Sequence, residues 1–165
     1  MANITFQGNP LNTNGNLPKV GDPAPEFTLV DGKLDDVSLT DFRGQKVLLN
    51  IVPSLDTPVC ATSTKKFNQQ TEDRDDLVVL VVSADLPFAQ SRFCSAEHTD
   101  RVKTLSMMRN RHFARDYGVL IQDGPLAGIT ARAVVVIDPS GQVVYTQLVE
   151  EIADEPDYQR ALAAV

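Results

Sequence analysis

Three stretches of the chain are almost wholly apolar: V-L-L-N-I-V at 47–52, L-V-V-L-V-V-S at 77–83 and A-V-V-V-I at 133–137. Runs of that length between turn residues predict strands buried on both faces, whereas V-V-Y-T-Q-L at 143–148 alternates and predicts a strand with one wetter face. Between the first two runs, residues 58–71 have helical composition, with Pro58 placed where a helix start wastes no N–H, and a charged loop follows at 72–76. Strand, helix and strand make a right-handed crossover with parallel strands. The D-P-S-G turn at 138–141 joins the last two strands as an antiparallel hairpin.

The remaining pattern is weaker. Short strands are expected at 27–30 and 37–39, followed by one helical turn at 41–43 that Thr40 caps and Gly44 ends. Helical composition returns at 88–97 and at 109–117, a short strand at 104–106 lies between them, and a last helix runs from Pro156 to about Ala164. At the N-terminus, residues 4–6 and 11–13 flank Q-G-N-P and predict a small β-hairpin, an extension over 1–16 laid on the main body. The expected fold class is α/β: a thioredoxin-like fold, a central mixed sheet flanked by helices, in one domain spanning 1–165. In such a sheet, ligands bind where helices start, at the carboxyl ends of the strands.

Composition narrows the function. At 165 residues and 42% hydrophobic, the chain can bury a core without metal or disulfide staples. A net charge of −7, with no basic run, argues against nucleic acid and anionic membrane as partners. The first residues lack the charged and apolar regions of a secretory signal, and no apolar run approaches the roughly 20 residues of a membrane helix, so a cytoplasmic protein is expected. Two cysteines, at 60 and 94, match no zinc or haem spacing, and His98 and His112 have no ligand spacing either. No cofactor is expected.

The chemistry centres on L-L-N-I-V-P-S-L-D-T-P-V-C-A-T-S-T at 48–64, which places Cys60 in the first turn of the helix. Free N–H groups and the positive end of the macrodipole favour a thiolate there. A redox helix of the C-x-x-C type would have a second cysteine three residues earlier, but this chain has Thr57, so Cys60 cannot close a local disulfide. A lone nucleophilic thiol suits attack on a peroxide. The plainer alternative is a buried structural cysteine, against which stand the hydroxyls of Thr57, Thr62, Ser63 and Thr64.

Ionisation alone does not explain peroxide chemistry. Complete ionisation of an ordinary thiol at neutral pH gains about thirtyfold, and the accompanying fall in nucleophilicity removes roughly tenfold. The site must also position the peroxide and stabilise charge on the leaving oxygen. Arg132, one residue before a buried strand whose entry loop faces the active-site helix in this fold, is the candidate counter-charge. The Thr57 hydroxyl and the helix-start amides add to it, and Pro53 is placed to shield the thiolate from water.

These residues carry a resemblance along essentially the whole chain. T-F-Q-G-N-P, N-I-V-P-S-L-D-T-P-V-C, S-A-D-L-P-F-A-Q-S-R-F-C, A-R-A-V-V-V-I-D and E-P-D-Y resemble the bacterial thiol peroxidases, the atypical two-cysteine branch of the peroxiredoxins. The resemblance implies Cys60 as the peroxidatic cysteine and Cys94 as the resolving one in the same chain, with Thr57 and Arg132 as ligands of thiolate and peroxide. It also implies hydrogen peroxide and alkyl hydroperoxides as substrates, thioredoxin as reductant, and a homodimer. A thiol–disulfide oxidoreductase, or a redox sensor or binding module without turnover, are the alternatives. Residues 86–97 should open to bring Cys94 to Cys60, with Phe88 and Phe93 as the apolar anchors of the closed state.

Overall fold

The computed structural model describes residues 1–165 and contains two sheets. The larger has seven strands in the order β4-β3-β7-β6-β5-β8-β9. These are β3 (Thr28–Val30), β4 (Asp36–Ser38), β5 (Lys46–Ile51), β6 (Leu77–Ser83), β7 (Lys103–Ser106), β8 (Ala133–Ile137) and β9 (Val143–Leu148). The smaller is the hairpin of β1 (Asn3–Phe6) and β2 (Asn9–Asn12). Helices α1 (Pro58–Gln70), α2 (Pro87–Glu97), α3 (His112–Asp116) and α4 (Tyr158–Ala163), with a 3-10 turn at Leu39–Phe42, complete the chain. The turn starts earlier than expected, with Ser38 and not Thr40 at its N-cap, because the Asp41 carboxylate accepts the Ser38 amide at 2.9 Å.

Strand β5 is the axis. It pairs in parallel with β6, from Lys46↔Leu77 to Ile51↔Val82, and antiparallel with β8, from Val47↔Ile137 to Ile51↔Ala133. The expected parallel crossover through α1 and the mixed sheet are both present. Because side chains alternate across a strand, the apolar runs feed two cores. Val47, Leu49 and Ile51 join Leu80, Val82, Ala133 and Val135 on the face covered by Phe113 of α3 and by Ile4 and Leu11 of the hairpin. Leu48 and Val52 join Val79, Val81, Val134 and Val136 on the face where Phe67 of α1 and Ala161 of α4 pack, and Cys60 belongs to this second core.

Helix α4 is fastened to α1 through E-P-D-Y. Lys66 meets Glu155 at 2.8 Å, the Tyr158 hydroxyl donates to the same carboxylate at 2.8 Å, and the Phe67 and Tyr158 rings meet edge-on at 5.0 Å. Asp157 caps α4 by accepting from the Arg160 amide, so the helix begins two residues after the Pro156 expected from the sequence.

Helix α3 is shorter than the pattern at 109–117 implied. Arg109 pairs with Asp36 at 2.9 Å, and the Asn110 side chain donates to the Thr28 carbonyl while accepting from the His112 amide. Those bonds tie 109–111 to β3 and β4 as a turn. The hairpin is held more closely than an overlay: Ile4 and Leu11 are buried in the first core, and Thr5 pairs with Glu151 in a one-residue parallel bridge.

Candidate active site

The loop from β5 to α1 is shaped by one carboxylate. Asp85, just past β6, accepts the Leu55 amide at 2.8 Å and the hydroxyls of Ser54 and Ser83 at 2.7 Å each. Thr57 then takes the extended N-cap conformation, and its hydroxyl donates to the Ser54 carbonyl at 2.8 Å. With that proton committed, the Thr57 oxygen is left as an acceptor. Pro58 opens α1, and the amides of Val59 and Cys60 precede Ala61, whose amide is the first to donate within the helix, to the Thr57 carbonyl at 3.0 Å.

Cys60 is fully buried, on the face of β5 that carries Leu48 and Val52. Its hydroxyl-rich neighbours imply a wetter setting than it has, because Ser63 and Thr64 are themselves buried. Ser63 donates to the Cys60 carbonyl at 3.1 Å and accepts from the Asn50 side chain at 3.3 Å, so β5 pins the first turns of α1 through a buried polar relay.

Arg132 is 2% exposed, the largest of the fully buried side chains. Its Nε donates to the Ile152 carbonyl at 3.0 Å, while Nη1 has no partner in the protein. A desolvated guanidinium nitrogen without an acceptor costs several kcal/mol, on the order of what a ligand oxygen would return. It lines a cavity of about 340 Å³ together with Pro53, Thr57 and the first turn of α1. Phe6, Leu126, Ile129 and Ile152 form the apolar side of that cavity.

The structure thus gathers Pro53, Thr57 and Arg132 at one cavity against the start of the helix that carries Cys60. Cys94 is elsewhere, partly buried in α2, and both cysteines are free thiols. Helix α2 has only Pro87 and Gln90 buried, and it ends on His98 in the left-handed conformation at φ 54°. Phe88 is 66% exposed and anchors nothing, which corrects the expectation for it; Phe93 does pack on the second core. Of the two anchors expected, the place of Phe88 is taken by Gln90, whose Nε2 donates to Ser83 and to the Leu105 carbonyl.

Asn50, Asp85 and Gln90 are the site residues that the sequence reading passed over. Asn50 stood out as the one polar residue in V-L-L-N-I-V, a signal that such a side chain needs a buried partner. Ile152 contributes a backbone carbonyl, for which side-chain identity gives no signal.

No group of histidine, cysteine or acidic side chains is arranged to hold a metal ion, and no helix is long and apolar enough to cross a membrane. The Redoxin family profile matches residues 19–162. Thiol peroxidases of Mycobacterium bovis and Mycobacterium tuberculosis are each 56% identical over 165 residues, covering 100% of this chain and 99% of theirs. The crystal structure of a peroxiredoxin-like protein from Aquifex aeolicus superposes with a TM-score of 0.93 at 42% identity, covering 100% of this chain and 98% of that one. A thiol peroxidase from Chromobacterium violaceum superposes with a TM-score of 0.90 at 25% identity, covering 98% and 93%.

Proposed function

The chain belongs to the Redoxin family and within it to the thiol peroxidases, and from that premise we propose the cycle its own residues run. It is a peroxiredoxin-type oxidoreductase that reduces peroxide with electrons from thiols. Cys60 is the peroxidatic nucleophile. Its thiolate attacks the outer oxygen of a hydroperoxide; an S–O bond forms, the O–O bond breaks, and the alcohol or water leaves with a proton, giving the sulfenic acid. Cys94 then attacks the Cys60 sulfur, forming an intramolecular Cys60–Cys94 disulfide and releasing water. A thioredoxin-type dithiol returns the two electrons and is itself left as a disulfide.

The observation that carries this reading is Arg132, a buried guanidinium that lines the cavity meeting the start of α1 and whose Nη1 has no partner in the protein. Donors aimed at developing charge in a water-poor site act strongly, because nothing must reorganise during reaction. Arg132 is placed to bond the peroxide oxygens, the Thr57 oxygen accepts the O–H of a hydroperoxide, and the helix-start amides support the thiolate. Pro53 closes one side against water. The apolar side suits an alkyl tail, so organic hydroperoxides and hydrogen peroxide are both substrates.

The protein works as a homodimer in the cytoplasm, where a thiol pool sustains the cycle. Leu86, at 52% exposure, borders a groove of about 370 Å³ with Met107, Met108, Leu120 and Ile129, and Ile129 also lines the active-site cavity. An apolar surface next to the site supports that assembly.

Peroxide consumption coupled to thioredoxin and its reductase tests the cycle. Cys60→Ser should abolish turnover, whereas Cys94→Ser should consume about one equivalent of peroxide and stop until a small thiol is added. Sustained coupled turnover by Cys60→Ser would remove Cys60 from the nucleophile's role. Thiol exchange on a disulfide substrate without peroxide would favour the oxidoreductase alternative.

A further inference from the structure

Glu151 lies outside the cavity, yet three groups of the N-terminal hairpin converge on it. Its carboxylate accepts the Gln7 amide at 2.8 Å, the Gly8 amide at 3.4 Å and the Thr5 hydroxyl at a short contact. The backbone on either side of it is paired with β1: the Thr5 amide donates to the Glu150 carbonyl at 2.7 Å, and the Ile152 amide donates to the Thr5 carbonyl at 2.9 Å. Ile152 then presents its own carbonyl to the Arg132 Nε at 3.0 Å. The chain of bonds runs from the hairpin turn, through 150–152, to the guanidinium.

The hairpin turn makes this chain more than ordinary packing. Gln7 and Gly8 both have positive φ, 52° and 79°, as a two-residue turn between paired strands requires. Gln7 is not a residue that favours that conformation, and a strained position persists only where its surroundings hold it. Besides the flanking strand pairs, the Glu151 carboxylate holds it, by accepting the amides of both turn residues. The same hairpin contributes Phe6 to the wall of the cavity that Arg132 lines.

We propose that Glu151 is a positioning residue for peroxide reduction: by clamping the N-terminal hairpin to 150–152, it fixes the Ile152 carbonyl that aims Arg132. This rests on the role of Arg132 given above. The Arg132 side chain has a single bond from Nε to the protein and leaves Nη1 free, so its direction depends on where that one acceptor sits. A shift of the acceptor turns the guanidinium away from the peroxide while leaving Cys60, Cys94 and α2 in place.

The experiment is stopped-flow measurement of two steps separately, Cys60 oxidation by hydrogen peroxide and disulfide formation with Cys94. Glu151→Ala should slow oxidation about ten- to hundredfold, the range for a misaimed catalytic group, and leave disulfide formation within about twofold. In an Arg132→Met background, Glu151→Ala should have almost no further effect, because nothing remains to be aimed. Glu151→Gln keeps a carbonyl oxygen for the Gln7 amide and should restore much of the oxidation rate; it also serves if the alanine variant folds poorly. The proposal fails if Glu151→Ala and Glu151→Gln both oxidise at the wild-type rate. It fails equally if both steps slow together, or if the loss is as large with Met at 132 as with Arg. If Arg132→Met itself oxidised at the wild-type rate, the reading of Arg132 would fall instead.

Discussion

The Gln90 side chain ties α2 to the end of β6: its Nε2 donates to the Ser83 hydroxyl at 3.0 Å. Gln90 stands one helical turn before Cys94, and a second bond of 3.0 Å reaches the Leu105 carbonyl of β7. Since α2 buries little else, these two bonds carry much of what keeps the helix closed. A disulfide needs Cα atoms within about 7 Å, so a resolving cysteine in one helix reaches a buried cysteine in another only if something moves. Losing two buried bonds and the side chain costs about 1–3 kcal/mol. Gln90→Ala should therefore speed disulfide formation after oxidation by fivefold or more, on the order of that range. It should also raise amide exchange over residues 87–97 while β8 stays protected. Unchanged exchange and an unchanged rate would mean that α2 opening does not limit this step.

Much of this site was legible before any coordinates, but unevenly. The buried strands around β5 follow from solid apolar runs, and Cys60 at the start of α1 follows from P-S-L-D-T-P-V-C. Arg132 stands out by its position before β8, and the fold buries it where a surface arginine is the commoner outcome. The error on Phe88 has a physical cause: an aromatic residue in a polar helix reads as an anchor, although here the polar Gln90 is buried by finding partners on two strands. The link from Glu151 to Arg132 passes through backbone carbonyls and amides, which every residue has, so no residue type announces it.

Replacing Arg132 with Met keeps length and apolar bulk while removing the donors. Removal of one preorganised donor typically slows a reaction about 10²–10³-fold. The second-order rate of Cys60 oxidation should fall by at least roughly that factor, more than the thirtyfold that ionisation can supply. Rates measured where the thiol is fully ionised in both proteins decide it. Equal rates there would reduce Arg132 to promoting the thiolate.

Phe6 supplies aromatic wall to the cavity of about 340 Å³ that Thr57 and Arg132 also line. Phe6→Ala should lower kcat/KM for cumene hydroperoxide by roughly ten- to a hundredfold, the scale of losing apolar contact in a pocket. Hydrogen peroxide has no tail to contact Phe6, so its rate should change by less than about threefold. A parallel loss on both substrates would mean that Phe6 acts on the reacting atoms and not on the tail.

Acid should loosen the hairpin before it unfolds the sheet. Glu151 titrates below its ordinary 4.5, chiefly because the Thr5 hydroxyl bonds its carboxylate, with the Gln7 and Gly8 amides adding to the effect. Asp123 is likewise lowered, by the Asn12 amide at 2.9 Å and the Asn12 side chain at 2.8 Å, so β2 has its own carboxylate fastening. A carboxyl whose folded value is depressed stabilises the fold fully above its unfolded value, and that contribution disappears as pH falls through the folded one. Both fastenings therefore act at neutral pH and weaken only below the ordinary carboxylate range. Ile4 and Leu11 are buried in the first core, so the hairpin should stay docked as its turn and edge loosen. Amide exchange followed from about pH 6 to about pH 3, corrected for the intrinsic pH dependence, should show Gln7 and Asn12 losing protection while Val135 in β8 keeps it. In the double variant Glu151→Gln, Asp123→Asn, the protection of Gln7 and Asn12 should no longer depend on pH over that interval. Wild-type protection that is flat down to the lower limit would show that neither carboxylate holds the hairpin. A pH-dependent loss surviving in the double variant would assign it to other groups.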